Sequence, residues 1–160
     1  MRSARVFWPG IGIALLVIAV DQLTKWWILE RVMAPPRAIE ITPFFNLVMV
    51  WNTGISFGLF STGSPLNAVF LSLLALLIVV ILLVWLYRTE NLFIGAAIGF
   101  IIGGAIGNVI DRVRFGAVAD FLDFHVAGYH WPAFNVADSM ITIGAAMIVV
   151  DALFGGAENR

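Results

Sequence analysis

Two aspartates in the stretch VADFLDFHVAGYHWPAFNVADS, residues 118–139, could do acid–base chemistry: Asp120 and Asp138. If the fold brings their carboxylates within a few ångströms, like charge keeps both from ionising and they share a proton. One then acts as base on a water that attacks a peptide carbonyl. The protonated partner supports the oxyanion and later protonates the leaving amine. Asn135 precedes Asp138 by three residues and shares its face on a helix, with Ser139 adjoining. Asp21 and Lys25, four apart, also share a helical face, and Asn52, Asn108 and Arg112 complete the polar residues of interest. For Asp111 and Asp123 a structural role is the better reading: Asp111 pairs locally beside Arg112, and Asp123 sits on a wet segment. Proton relay and structural pairing stay open for Asp120 and Asp138 as well. His125 and His130 lack a zinc-site pattern such as H-E-x-x-H and read as interfacial residues. The serines show neither a G-x-S-x-G turn nor a lysine placed for a Ser-Lys dyad. With no cysteine, thiolate catalysis, disulfides and Cys-ligated metals are excluded, and no cofactor or metal is invoked.

The elements that must position these residues are membrane helices. The 160-residue chain is 61% hydrophobic and 12% charged, with a mean hydropathy of +0.99, against about a quarter charged in soluble domains. Its length supplies four spans of about 20 residues in a single membrane domain. A net charge of -1 and the absence of a polybasic run give no support for a nucleic-acid partner or a lipid-binding tail. The spans are expected at about 6–29, 65–87, 92–110 and 132–153, with loops at 31–64 and 112–131. A cleaved secretory signal competes for the basic, apolar amino terminus, but small residues spaced for cleavage are missing and the apolar run continues to spanning length. The first loop, with ITPFFNLVMVWNTGISFGLF, is rich in β-branched and aromatic residues and predicts a small sheet at the membrane surface. Gly54, Gly58 and Gly63 would let it move as a lid. The third loop predicts an amphipathic surface helix or turn. Gly95, Gly99, Gly103 and Gly107 form a stripe on span three that allows close helix packing. The stripe is expected to tighten the far side and leave the aspartate end splayed.

An even number of spans places both long loops, and with them the polar motifs, at one membrane face. An Asp at the bilayer centre costs about 2.5 to 3.5 kcal/mol, and Asp138 is expected about two turns, roughly 10 Å, into span four. Lys and Arg are balanced between the two faces, so charge does not decide orientation. Arg2 and Arg5 before the first helix favour cytoplasmic termini. A small proton-coupled transporter or channel subunit, with Asp21, Asp111 and Asp138 as relay, is the alternative function. Against it, spans two and three lack central ionisable groups. An assembly scaffold would explain the glycine stripe but not the polar cluster.

Five motifs in order, DQLTK (21–25), WNTGISFG (51–58), GGAIGNVIDR (103–112), VADFLDF (118–124) and FNVADS (134–139), resemble those of the lipoprotein signal peptidase family, signal peptidase II of bacteria. Thr53, Ile55, Gly58 and Ala119 depart from its commonest pattern at packing positions rather than polar atoms. The resemblance implies an all-α integral membrane enzyme of four transmembrane helices, with a small extracytoplasmic β-cradle from the first loop and a short surface helix from the third. It implies an aspartic endopeptidase that cuts prolipoproteins just before a diacylglyceryl-modified cysteine, at the outer leaflet of the bacterial inner membrane. On matching positions Asp120 and Asp138 are the catalytic pair. Asp21, Lys25, Asn52, Asn108, Arg112 and Asn135 bind substrate or support the pair. It further implies lipid-modified prolipoproteins and membrane lipids as partners, inhibition by globomycin-type cyclic peptides, and a monomer.

Overall fold

The computed structural model describes residues 4–54 and 65–154. Expectations resting on Arg2, Ile55, Gly58 and Gly63 lie outside them. Four helices are long and apolar enough to cross a membrane. These are α1 (Ala4–Trp27, continued by a π-helical turn, Ile28–Val32), α2 (Pro65–Arg88), α3 (Leu92–Phe115) and α4 (Val136–Phe154). Helix α3 is the most buried and packs against the other three. Its glycines make that possible: a Cβ at Gly103 would lie 2.6 Å from Val17 Cβ and 2.7 Å from Ala14 O. The outward faces of α1, α2 and α4 carry large exposed apolar side chains such as Leu15, Phe70, Leu77 and Leu153, as suits hydrocarbon.

At one end of the bundle sits a four-stranded antiparallel sheet, in the order β1 (Ile39–Thr42), β2 (Phe45–Asn52), β3 (Val118–Val126), β4 (Tyr129–His130). It joins both long loops, pairing Val50 with Asp120 and Asn52 with Val118. Two apolar cores result. Val6, Ala14, Leu86, Ile98 and Ile102 fill the bundle, while Ile28, Met33 and Phe121 fill the space beneath the sheet.

Four expectations are corrected. The third loop forms β3 and not a surface helix: β2 offers an open edge, and VADFLDFHV pairs along it as a strand whose first four residues are all buried. The sheet therefore draws on both loops rather than the first alone. Helix α3 runs to Phe115, ended by Gly116 in the left-handed region (φ 73°), whose N–H bonds Arg112 O at 3.0 Å. Finally, α4 starts at Val136, because the preceding residues are held by β3. Asp138 thus lies in the first helical turn and not two turns deep.

Candidate active site

Between the two cores lies a polar layer, assembled from α1 outward. Asp21 and Lys25, one turn apart on α1, are both buried. Lys25 Nζ lies 2.9 Å from Asp21 Oδ2 and 2.8 Å from Asp111 Oδ2 on α3. A desolvated ammonium requires such partners, since an unpaired one would cost several kcal/mol, on the order of 3 to 5. Gln22 binds the same carboxylates, donating to Asp21 Oδ2 and Asp111 Oδ1 at 3.1 Å each and to Gly107 O at 3.2 Å. The same carboxylates hold other elements: Asp21 Oδ1 accepts from Ala137 N at 3.0 Å, at the positive end of α4, and Asp111 Oδ2, besides meeting Lys25, accepts from Ala119 N at 3.1 Å.

Lys25 also sets the orientation of what lies above it. An ammonium only donates, so the Asn108 atom it meets at 3.2 Å is Oδ1. The Asn108 amide nitrogen is thereby turned to Asp138 Oδ1, 2.7 Å away. Asn135, wholly buried, precedes α4 and caps it reciprocally. Its Oδ1 accepts from Asp138 N at 3.0 Å, while Asp138 Oδ2 accepts from Asn135 N at 3.2 Å. Its Nδ2 then donates to Asp120 Oδ1 at 2.7 Å and Asn108 Oδ1 at 3.2 Å. On the sheet side, Asn52 Oδ1 accepts from Gly54 N at 3.0 Å, leaving Nδ2 to donate to Asp120 Oδ2 at 3.0 Å. Every carboxylate oxygen of Asp120 and Asp138 thus meets an N–H, and neither side chain is free to turn away.

Both aspartates open on a cavity of about 480 Å³, walled by Asn52, Asn108 and Arg112 above and by Thr142 and Ile143 along α4. Arg112 reaches Gly54 O at 3.4 Å. Asp120, 1% exposed, is pushed up to about 7, by burial first and by the charge of Asp138 second. Two carboxyl groups in one cavity, one of them protonated near neutrality, can do the base-and-acid work that hydrolysis of an amide requires.

The fold gathers all eight expected residues. Asp120, Asp138, Asn52, Asn108 and Arg112 line the cavity; Asn135 bridges behind it, and Asp21 and Lys25 form the layer beneath. Asp111 pairs with Lys25 across two helices and not locally with Arg112, because α3 continues through it and turns its side chain toward α1. Asp123 is buried rather than wet, bonded to Asn46 at 3.1 Å and His130 at 2.9 Å. His130 is exposed and stacks on His125 with ring centroids 4.8 Å apart. Gln22 joins the layer without being expected from the sequence, where the signal is an uncharged amide between Asp21 and Lys25 inside an apolar span. The glycine stripe also extends to the aspartate end, where a Cβ at Gly107 would meet Asp21 Oδ2 at 2.5 Å and Ala137 Cβ at 3.4 Å, so α1, α3 and α4 are not splayed there.

Comparison with known proteins identifies the family and the fold. The family described as signal peptidase (SPase) II matches residues 13–154. The chain is 47% identical over 147 residues to the lipoprotein signal peptidase of Paraburkholderia phymatum, covering 91% of this chain and 87% of that one. It is 41% identical over 151 residues to that of Rhodopseudomonas palustris, covering 91% and 92%. A solved bacterial membrane enzyme superposes with a TM-score of 0.83 at 34% identity, covering 95% of this chain and 92% of the other. A second gives 0.80 at 34% identity, covering 91% and 93%. Four apolar spans and relatives of this kind mark a multi-pass protein of the bacterial inner membrane, and the chain belongs to the signal peptidase II family.

Proposed function

We propose that Asp120 and Asp138 are the catalytic pair with which this membrane protease removes signal peptides from prolipoproteins, making it an aspartic endopeptidase. The observation that carries the reading is their joint opening on one cavity, each held by amide donors. Asp120 keeps the shared proton near neutrality, supports the oxyanion and protonates the leaving amine. Asp138, half-buried at the first turn of α4, draws the proton from the attacking water. Arg112 and Asn52 hold the substrate backbone. Asn108, Asn135, Lys25 and Asp21 keep the pair in place.

The substrate is a prolipoprotein bearing diacylglycerol on the cysteine just after the scissile bond. Thr142 and Ile143 continue the cavity one turn along α4 into the membrane layer, where acyl chains stay in the leaflet while the bond sits near the surface. The site lies at the outer leaflet, with both termini cytoplasmic. Globomycin-type cyclic peptides occupy this cavity, and the chain acts as a monomer. The transporter alternative lacks support, since among the described residues the buried charged groups Asp21, Lys25, Asp111, Asp120 and Asp123 lie at the sheet end of the bundle, below which the core is apolar.

Cleavage of a lipid-modified prolipoprotein by purified protein, read as a gel shift, tests this. Wild type shortens the substrate. Asp120→Asn and Asp138→Asn each lower kcat by at least about 10³-fold while folded yield is kept. Either single variant cleaving at near the wild-type rate removes the pair from its role.

A further inference from the structure

Between β4 and α4 the chain runs beside β3 as an irregular edge strand. Trp131 donates its N–H to Phe124 O at 2.8 Å, and Phe134 exchanges bonds with Leu122, donating at 3.1 Å and accepting at 2.9 Å. Phe134 O also accepts from Phe121 N at 3.0 Å, so the pairing is an isolated bridge rather than a regular ladder, and the residue before Phe134 takes no part in it. That residue is Ala133, which lines the cavity with Asp120 and Asp138. Among the described residues, neither backbone group of Ala133 has a partner within the chain. Pro132 has no N–H to offer. Two residues later Asn135 bonds Asp120 through its side chain and Asp138 through its backbone, so this edge and the aspartate pair are held in fixed register.

A donor and an acceptor side by side on one edge residue match a single residue of an extended peptide laid antiparallel beside it. We infer that Ala133 docks the substrate chain: one residue flanking the scissile bond exchanges both backbone hydrogen bonds with Ala133 and extends the sheet by a strand. The inference rests on the aspartate-pair reading above and adds to it a selection for backbone shape. The segment around the cleavage site must unwind to the extended form to be cut, and a residue without an N–H is rejected at the pairing position.

The test is a double cycle on the full-length protein. On one side Ala133 is replaced by lactic acid through nonsense suppression, which removes its N–H and keeps the methyl group. On the other, a synthetic peptide carrying diacylglyceryl-cysteine is N-methylated one residue at a time across the cleavage site. The ester enzyme should raise KM about tenfold, with kcat changed less than about twofold, as expected for one lost hydrogen bond. On the wild-type enzyme one N-methyl position should raise KM at least as much, and its effect should shrink in the ester enzyme. A KM within twofold of wild type, or N-methyl effects that multiply independently at every position, overturns the pairing. If the ester enzyme does not fold, the scan on wild type decides alone: KM unmoved at every position rejects the inference. Failure of the aspartate pair shows separately, as retained turnover in Asp120→Asn.

Discussion

A carboxyl group that is 1% exposed and shares its cavity with another takes on charge at a cost. Burial and the charge of Asp138 lift Asp120 to about 7, against donors from Asn52 and Asn135 that favour the charged form. Because the folded value lies above the unfolded one, the stabilising contribution is fully present below about pH 4. It is lost as pH rises through about 7, a fall of roughly 4 kcal/mol at most. Activity follows the same proton: kcat/KM should decline above pH 7, approaching tenfold per pH unit. Asn52→Ala deletes a donor to the charged form and should move this limb upward by about one unit or less. Steady-state profiles from pH 5 to 9 check this, and a limb that stays or moves downward in Asn52→Ala removes Asp120 as the holder of the proton. Most of these residues were legible in the sequence because ionisable and amide groups in apolar segments demand partners. What stayed hidden was who partners whom. The Lys25–Asp111 pair and the bonds of Gln22 cross from α1 to α3, and no spacing along one helix announces a contact made by packing two.

Helices were easier to read than the pieces between them. A run such as α2 declares itself by length and hydropathy, since a span must satisfy its own backbone. Residues 118–134 mix aromatics with acids, and their conformation depends on an edge offered by β2 some 70 residues earlier in the chain. The same dependence delays α4, which starts later than hydropathy alone predicts because Trp131 and Phe134 bond to β3. The glycine stripe was legible as packing, and the structure specifies its partner. At Gly99 a Cβ would meet Gly10 O at 2.5 Å, and at Gly103 Ala14 O at 2.7 Å, both backbone atoms that cannot swing aside. Gly103→Ala should therefore destabilise the protein by about 1 to 3 kcal/mol, and Gly103→Leu should abolish folded yield. Gly12, whose added Cβ meets nothing within 4 Å, serves as the comparison. Gly12→Ala should be neutral or stabilising by up to about 1 kcal/mol. Thermal unfolding midpoints in detergent decide it, and a Gly103→Ala protein as stable as Gly12→Ala removes the close packing of α1 on α3.

At the scale of the whole molecule, the bundle is polarised. Its buried charges gather under the sheet, while the opposite end is tied by Asn91, which caps α3 and bonds Asp151 of α4 at 3.1 Å. With the site at the outer leaflet, as proposed above, the sheet end would face outward and the cavity would meet the bond there. Flanking charge does not settle this, because Lys25, on the sheet side of the count, is consumed by Asp21 and Asp111 and is not free to act as a topology signal. The chain has no cysteine, so single-cysteine labelling carries no background. Tyr129→Cys, at the exposed start of β4, should react with a membrane-impermeant maleimide in cells whose inner membrane is intact. Arg88→Cys, at the end of α2, should react only after that membrane is opened. Both sites lie away from the cavity, so each variant can be required to cleave substrate before its labelling is read. The reverse pattern in an active protein would put the site on the cytoplasmic face, and it would then have to meet its substrate before export rather than after.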